Sequence, residues 1–185
     1  MNVRERKLGL IFLMYLAVII FNGCKHEVDT DINISQEMLN EVNKLRKNGC
    51  MCGQDSMPPV RELRWNSILE EAALLYAKDM YQHNYFDHKG LDSSLPIQRA
   101  ERIGYKGVAV GENLARGYTS ISEVMQAWKA SESHCKNMMD SSYCEMGAAT
   151  TNQYWVLEFG STDTFKPSFS DNKKRISFSL GKELY

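Results

Sequence analysis

From residue 34 onward the apolar positions keep a helical period of about 3.6 for most of the chain and change to a period of two only near its end. Asn33 or Ser35 is placed to cap a first helix, in which Met38, Leu39, Val42 and Leu45 share a face and Asn48-Gly49 marks the stop. The segment CMCGQDSMPPV reads as a loop, because Pro58-Pro59 excludes helix. Ser67 with Glu70 forms a capping-box pattern, opening a longer helix with Leu69, Ala72, Ala73, Tyr76 and Met80 inward and an end near Asn84. Tyr85 and Phe86 follow as packing residues. Pro96 opens a short helix closed by Gly104, and Val108 and Val110 suggest a brief extended piece into Glu112. A second capping box, Ser120 with Glu123, starts a helix with Val124, Ala127 and Trp128 on one side and His134 at its end. Then the period shortens. Met146–Ala149 and Tyr154–Phe159 predict an antiparallel hairpin turning at Thr151-Asn152-Gln153. Residues 161–185 read as a polar extension whose end, Ile176 to Leu180, alternates enough for an edge strand.

The amino terminus has another character. Arg4, Arg6 and Lys7 precede an uncharged apolar run, Leu8 to Phe21, that stops at Gly23-Cys24. A spanning helix needs about 20 apolar residues, so the run reads as a secretory signal. The stop at Gly-Cys resembles a bacterial lipoprotein signal. That likeness implies cleavage after residue 23, a lipid on Cys24 and a polar tether over residues 24–33, with the protein held on a membrane of the cell envelope at its periplasmic or cell-surface face. Removing residues 1–23 takes away Arg4, Arg6, Lys7 and Glu5, so the formal charge moves from −1 to −3. A mildly acidic surface excludes nucleic acid as the natural partner and offers no basic patch for anionic lipid. With Cys24 assigned to lipid, Cys50, Cys52, Cys135 and Cys144 remain, an even number that reads as two disulfides in an exported chain, with three pairings open. A four-thiolate zinc site is the competing use, and the spacings fit it poorly.

Candidate chemistry gathers between Gly111 and His134, with His88 in YFDHKG as a second anchor upstream. Glu112, His88 and His134 are the ingredients of an acid–base or metal site, and two neutral imidazoles suit zinc. A hydrogen-bonded network tying loops to helix ends is the structural alternative. Ser131 and His134, three apart, would share a helical face as a hydrolase pair, yet no GxSxG turn is present. Met125, Met138, Met139 and Met146 could line an adaptable apolar groove, although core filling is the commoner use of such residues.

Taken in order, RWNSILEEAALLYAKDM, YFDHKG, RIGY, GENLARGY, WKASESHCKNMM and the EMGAA/YWVLEFG hairpin resemble the CAP superfamily of cysteine-rich secretory, antigen 5 and pathogenesis-related proteins, in its bacterial branch. The resemblance covers about residues 37–160 and gives a domain at 34–160. It implies an α+β fold, a three-layer α-β-α sandwich with a small antiparallel sheet. It also implies a cleft lined by a tetrad of two His and two Glu. Residue by residue these are His88, Glu112 and His134, with Ser131 where the second Glu would stand, as bacterial members commonly have it. Glu132, one residue over, reaches such a cleft only if the helix end is distorted. Members with the whole tetrad hold a divalent metal through both His, which makes His88 and His134 the candidate zinc ligands. The pairing implied is Cys52–Cys135, leaving Cys50–Cys144. Some members bind sterols or other lipids. The expectation is therefore a lipid-anchored binding module for a lipid, sterol or other cell-envelope ligand, without assigned catalysis; the alternative is a metal-dependent or Ser/His hydrolase acting on peptide or cell-wall material.

Overall fold

The computed structural model describes residues 28–162. The expected signal, Cys24 and its lipid, and the extension beyond Thr162 lie outside the described residues. The chain divides at Ser35, and the unit from Ser35 onward carries the sheet. Among the described residues no helix is long and apolar enough to cross a membrane.

Helix α1, Val28–Asn48, begins inside the stretch expected as a tether. Extending a helix already fixed by packing costs little per residue. Two short strands follow, β1 (Cys50–Cys52) and β2 (Asp55–Met57), paired antiparallel around Gly53 at φ 61°. The expected loop therefore holds a tight hairpin. Strand β3 (Arg64–Trp65) leads into α2 (Ser67–Gln82). Its cap is Asn66, whose side chain accepts from the amides of Ile68 and Leu69. Ser67 is thus the first helical residue, and Glu70 accepts from the Trp65 indole and the Ser35 hydroxyl, 2.8 and 2.9 Å. Next come α3 (Pro96–Arg102), β4 (Ala109–Arg116), α4 (Ile121–Ala130), α5 (Glu132–Met138), β5 (Glu145–Thr151) and β6 (Tyr154–Ser161).

The main sheet has the order β3-β5-β6-β4, with β3 parallel to β5 and the other pairs antiparallel. Strand β6 is buried along its whole length, as a central strand must be. The β5–β6 turn places Asn152 and Gln153 at φ 46° and 65°, the geometry that suits the right-handed twist of a two-residue hairpin. Strand β4 is longer than the sequence suggested. It runs through GENLAR and pairs with β6 at every residue from Ala109 to Arg116.

One face of the sheet packs on α2 and α3: Leu114, Tyr154 and Val156 meet Ala73, Tyr76, Ala77 and Met80, with Tyr85 and Phe86 against them. Gly147 is required there, since a β-carbon would overlap the backbone of Leu69 and Glu70. The other face packs on α4 and α5. The Trp128 indole donates to the Leu114 carbonyl (3.0 Å), and Tyr143 stacks on Phe159 at 5.5 Å. Met125, Met138, Met139 and Met146 are all buried, so they fill core. The result is a three-layer α-β-α sandwich.

A fully buried cation closes the layers. Arg46 on α1 donates to the carbonyls of Arg61 (2.7 Å), Met138 (2.7 Å), Asp140 (3.0 Å) and Tyr143 (3.3 Å). Burial pushes its pKa down to about 10, opposed by Asp140, so the guanidinium stays charged at neutral pH. Arg46→Met keeps the aliphatic stem and strands four carbonyls. We expect a loss of about 3 kcal/mol, read as a lower midpoint in urea unfolding with an unchanged slope.

Candidate functional site

Glu112 sits on the outer strand β4, directly opposite Glu158 on β6. Both side chains therefore project from the face that meets α2 and α3. The Glu112 carboxylate is almost wholly buried, and each of its oxygens has a strong donor: His88 Nδ1 at 2.7 Å on one, Arg99 Nη2 at 2.5 Å on the other. A carboxylate only accepts, so His88 donates through Nδ1, and Nε2 is the ring nitrogen that this bond leaves over. The imidazole side chain is about one-third exposed.

The loop carrying His88 is built locally. Asp87 accepts from the Lys89 amide (2.8 Å), Gly90 and Ser94 bond backbone to backbone (2.9 Å), and Asp92 holds the Ser94 amide (2.9 Å) and Arg102 (2.5 Å). Those donors keep the Asp92 carboxyl far below its ordinary range. Arg99 on α3 fastens this loop to the strand. Its Nη1 donates to the carbonyls of His88 (3.1 Å) and Ser94 (3.0 Å), and its guanidinium lies 3.4 Å over the Tyr76 ring. Both the backbone and the ring of His88 are thus fixed through Arg99 and Glu112.

Glu158 is completely buried, and no hydrogen bond of ordinary geometry reaches either of its oxygens. Burial first, and the Glu112 charge second, hold its pKa well above the usual carboxylate range, with Arg99 opposing. One counter-ion serves two facing carboxyls, so Glu158 keeps its proton while Glu112 is ionised. A protonated Glu158 is also a donor toward the neighbouring Glu112 carboxylate.

His134 comes from the opposite layer. On the other face of β4, Asn113 donates to the His134 carbonyl (3.1 Å), and Asn137 donates to the Glu112 carbonyl (3.1 Å) and the Asn113 side chain (2.9 Å). Gly111 is needed for this approach, since a β-carbon there would overlap the Tyr143 ring and hydroxyl. His134 lies within electrostatic reach of His88. Its pKa is pushed down to about 4, by burial first and His88 second, so it is neutral at pH 7. The two histidines thus come from opposite layers and lie within electrostatic reach of each other.

The remaining predicted residues go elsewhere. The helix breaks at Ser131 (φ −86°, ψ 120°), which caps α5 instead of lying on one helical face with His134. The Ser131 hydroxyl meets that of Ser133 at 3.3 Å, and among the described residues no hydrogen bond joins it to His134. Glu132 turns to Lys136 (2.5 Å) and lies over Gly53, away from Glu112. The Cys52–Cys135 disulfide is present, with α-carbons 5.4 Å apart. The Cys50–Cys144 bridge is not formed. Cys50 lies beside the first disulfide and Cys144 is buried near Thr162, because the hairpin β1–β2 turns both Cys50 and Cys52 toward α5. The sequence reading missed Arg99 and Glu158. A glutamate inside the apolar run YWVLEFG was the available signal for the second.

Both shifted groups give pH dependences of opposite sign. Glu158 has a raised pKa, so its contribution is present at low pH and is lost as pH rises through the folded value. Glu158→Gln should therefore gain stability relative to the parent as pH rises above 4.5, checked by urea titrations from acid to neutral pH. His134 has a lowered pKa, so its contribution is present above 6.5 and is lost as pH falls toward 4. His134→Asn should remove about 2 kcal/mol of that acid-side loss, read from thermal melts at pH 7 and pH 4.5.

Comparison with known proteins gives a consistent picture. The family model described as the cysteine-rich secretory protein family, CAP, matches residues 39–159. The Bacillus subtilis protein YkwD is 28% identical over 102 residues, taking in 54% of this chain and 40% of YkwD. The chain thus spans well under half the length of that relative. An extracellular protein containing an SCP domain, from Bacillus anthracis, has the same fold at a TM-score of 0.63 and 22% identity, covering 70% of this chain and 41% of that one. An outer surface protein of Borrelia burgdorferi matches at a TM-score of 0.61 and 24% identity, covering 75% and 98%.

Proposed function

The chain belongs to the cysteine-rich secretory protein family, CAP, and on that premise we propose that it is an exported, lipid-anchored binding module. Its ligand is taken at the edge of β4, between His88 and His134. One observation carries this reading: the 2.7 Å bond from His88 Nδ1 to the buried Glu112 carboxylate, which fixes a partly exposed imidazole in one orientation. Side chains that only knit a fold together have no need to keep a fixed ring partly open to solvent. The second imidazole, neutral at pH 7, supplies a like group from the other layer. Partners that fit are a lipid, a sterol or another envelope component able to donate hydrogen bonds, met at the membrane on which the lipid of Cys24 would hold the domain.

The same pair fits a divalent cation such as zinc. His88 Nε2 and His134 would hold it, and bound there it would polarise an oxygen ligand or water. Glu112 is already committed to Arg99 and His88, and the Ser131 hydroxyl meets that of Ser133, so among the described residues the two imidazoles are the donors this site would offer. Affinity should be correspondingly modest and should fall with acid.

The test is binding. Full-length protein taken from membranes without chelator should carry a co-purifying ligand in native mass spectrometry. Zinc titrated calorimetrically at pH 7.5 should bind once per chain, with at least about tenfold weaker binding in His88→Ala/His134→Ala. Absence of both the adduct and the zinc heat, with the fold intact, would count against the reading.

A further inference from the structure

Three sulfurs converge away from the histidines. Cys50 and Cys52, two apart on β1, project from the same face of the strand toward α5, where Cys135 stands. Cys50 Sγ lies 3.7 Å from Cys52 Sγ and 3.7 Å from Cys135 Sγ. Among the described residues these are the one set of three ligand-type side chains whose donor atoms fall within 4.8 Å of one another. Their surroundings are apolar: Met139, Leu45, Met57 and Val60 pack around them, and Cys50 is the half-exposed member. Burial raises the Cys50 thiol, and Lys129 opposes that by favouring the thiolate.

Equal distances place Cys50 broadside to the Cys52–Cys135 bond. Thiol–disulfide exchange runs along the line of the two sulfurs being separated, so this position does not favour attack on either one. It suits a different use. A tetrahedral thiolate site with metal–sulfur bonds of about 2.3 Å spaces its sulfurs about 3.8 Å apart. Two of the three edges already have that length. The pleat of a strand does here, with C-x-C, what a turn does in the wider cysteine spacings of ordinary zinc sites.

We propose that reduction of Cys52–Cys135 converts Cys50, Cys52 and Cys135 into a three-thiolate site for a soft cation of the zinc, cadmium or copper(I) class. An external dithiol supplies two electrons and two protons to the disulfide and becomes a disulfide itself. The cation then binds three sulfurs and releases their three protons to solvent. Cys144 takes no part, being held apart beside Thr162. In the oxidised protein the disulfide withholds two of the ligands, so cation binding reports the thiol poise of the surroundings.

The experiment uses full-length protein carrying His88→Ala/His134→Ala, which silences the imidazole pair. It is reduced with dithiothreitol, desalted under argon and titrated with cadmium. One equivalent should bind, with the sulfur-to-cadmium ultraviolet band. Oxidised protein should give no band. Cys50→Ser should lose about a third of the band and at least about tenfold in affinity, whereas Cys144→Ser should leave both unchanged. Circular dichroism follows the fold throughout. The proposal is overturned by a reduced, folded chain that gives no band, by Cys50→Ser binding as the parent does, or by a reduced chain that unfolds and does not refold with cadmium.

Discussion

The register between β4 and β6 is the constraint on which the rest of this molecule hangs. Pairing Glu112 with Glu158 puts two carboxyls opposite each other on a buried face, where they share a single cation, Arg99. Two ionised carboxylates cannot be kept in that setting with one counter-charge, so one of them holds a proton. The more deeply buried one, Glu158, does so. Glu112 then has a full charge to spend on two donors, Arg99 and the His88 ring. A slip of one residue would carry Glu112 to the face of α5 and Asn113 into the α2 layer. That would lose the orientation of His88 and the tie to His134 together.

The outer position of β4 gives the GEN segment its double use. Gly111 and Asn113 face α5 and let it approach, while Glu112 faces α2 and α3. Side chains from two layers that the sheet would otherwise keep apart can meet only around an outer strand. His88 and His134 come from those two layers and lie within electrostatic reach of each other, although 45 positions lie between them in the chain. An edge also exposes unpaired backbone groups, and here Asn137 covers one of them by donating to the Glu112 carbonyl.

Much of the architecture was legible because it is local. The 3.6-residue spacing of Leu69, Ala72, Ala73, Tyr76 and Met80, the Ser120–Glu123 cap and the alternation in YWVLEFG each specify an element from neighbouring residues alone. Family likeness supplied what locality does not, the association of His88 with Glu112. The failures share a cause. Asn66 capped α2 because its side chain reaches two amides, whereas Glu70 was drawn off by Trp65 and Ser35. The β1–β2 hairpin depends on Gly53 adopting a left-handed turn. Arg99 looks in sequence like any solvated helix residue, and only tertiary structure gives it Glu112 and Tyr76 as neighbours.

Helix α5 shows how far such remote fixings can go. Seven residues are too few to hold a helix in water, since nucleation costs more than so few bonds return. Its place is imposed from both sides: Asn113 and Asn137 tie it to β4, and Cys135 ties it to β1. The break at Ser131 releases it from the axis of α4, so those ties, not the phase of the preceding helix, decide where His134 points. A continuous helix would have placed Ser131 and His134 on one face and made them look like a catalytic pair. The break separates them, leaving Ser131 at the N-cap position of α5 and His134 on the short helix that Asn113 ties to β4.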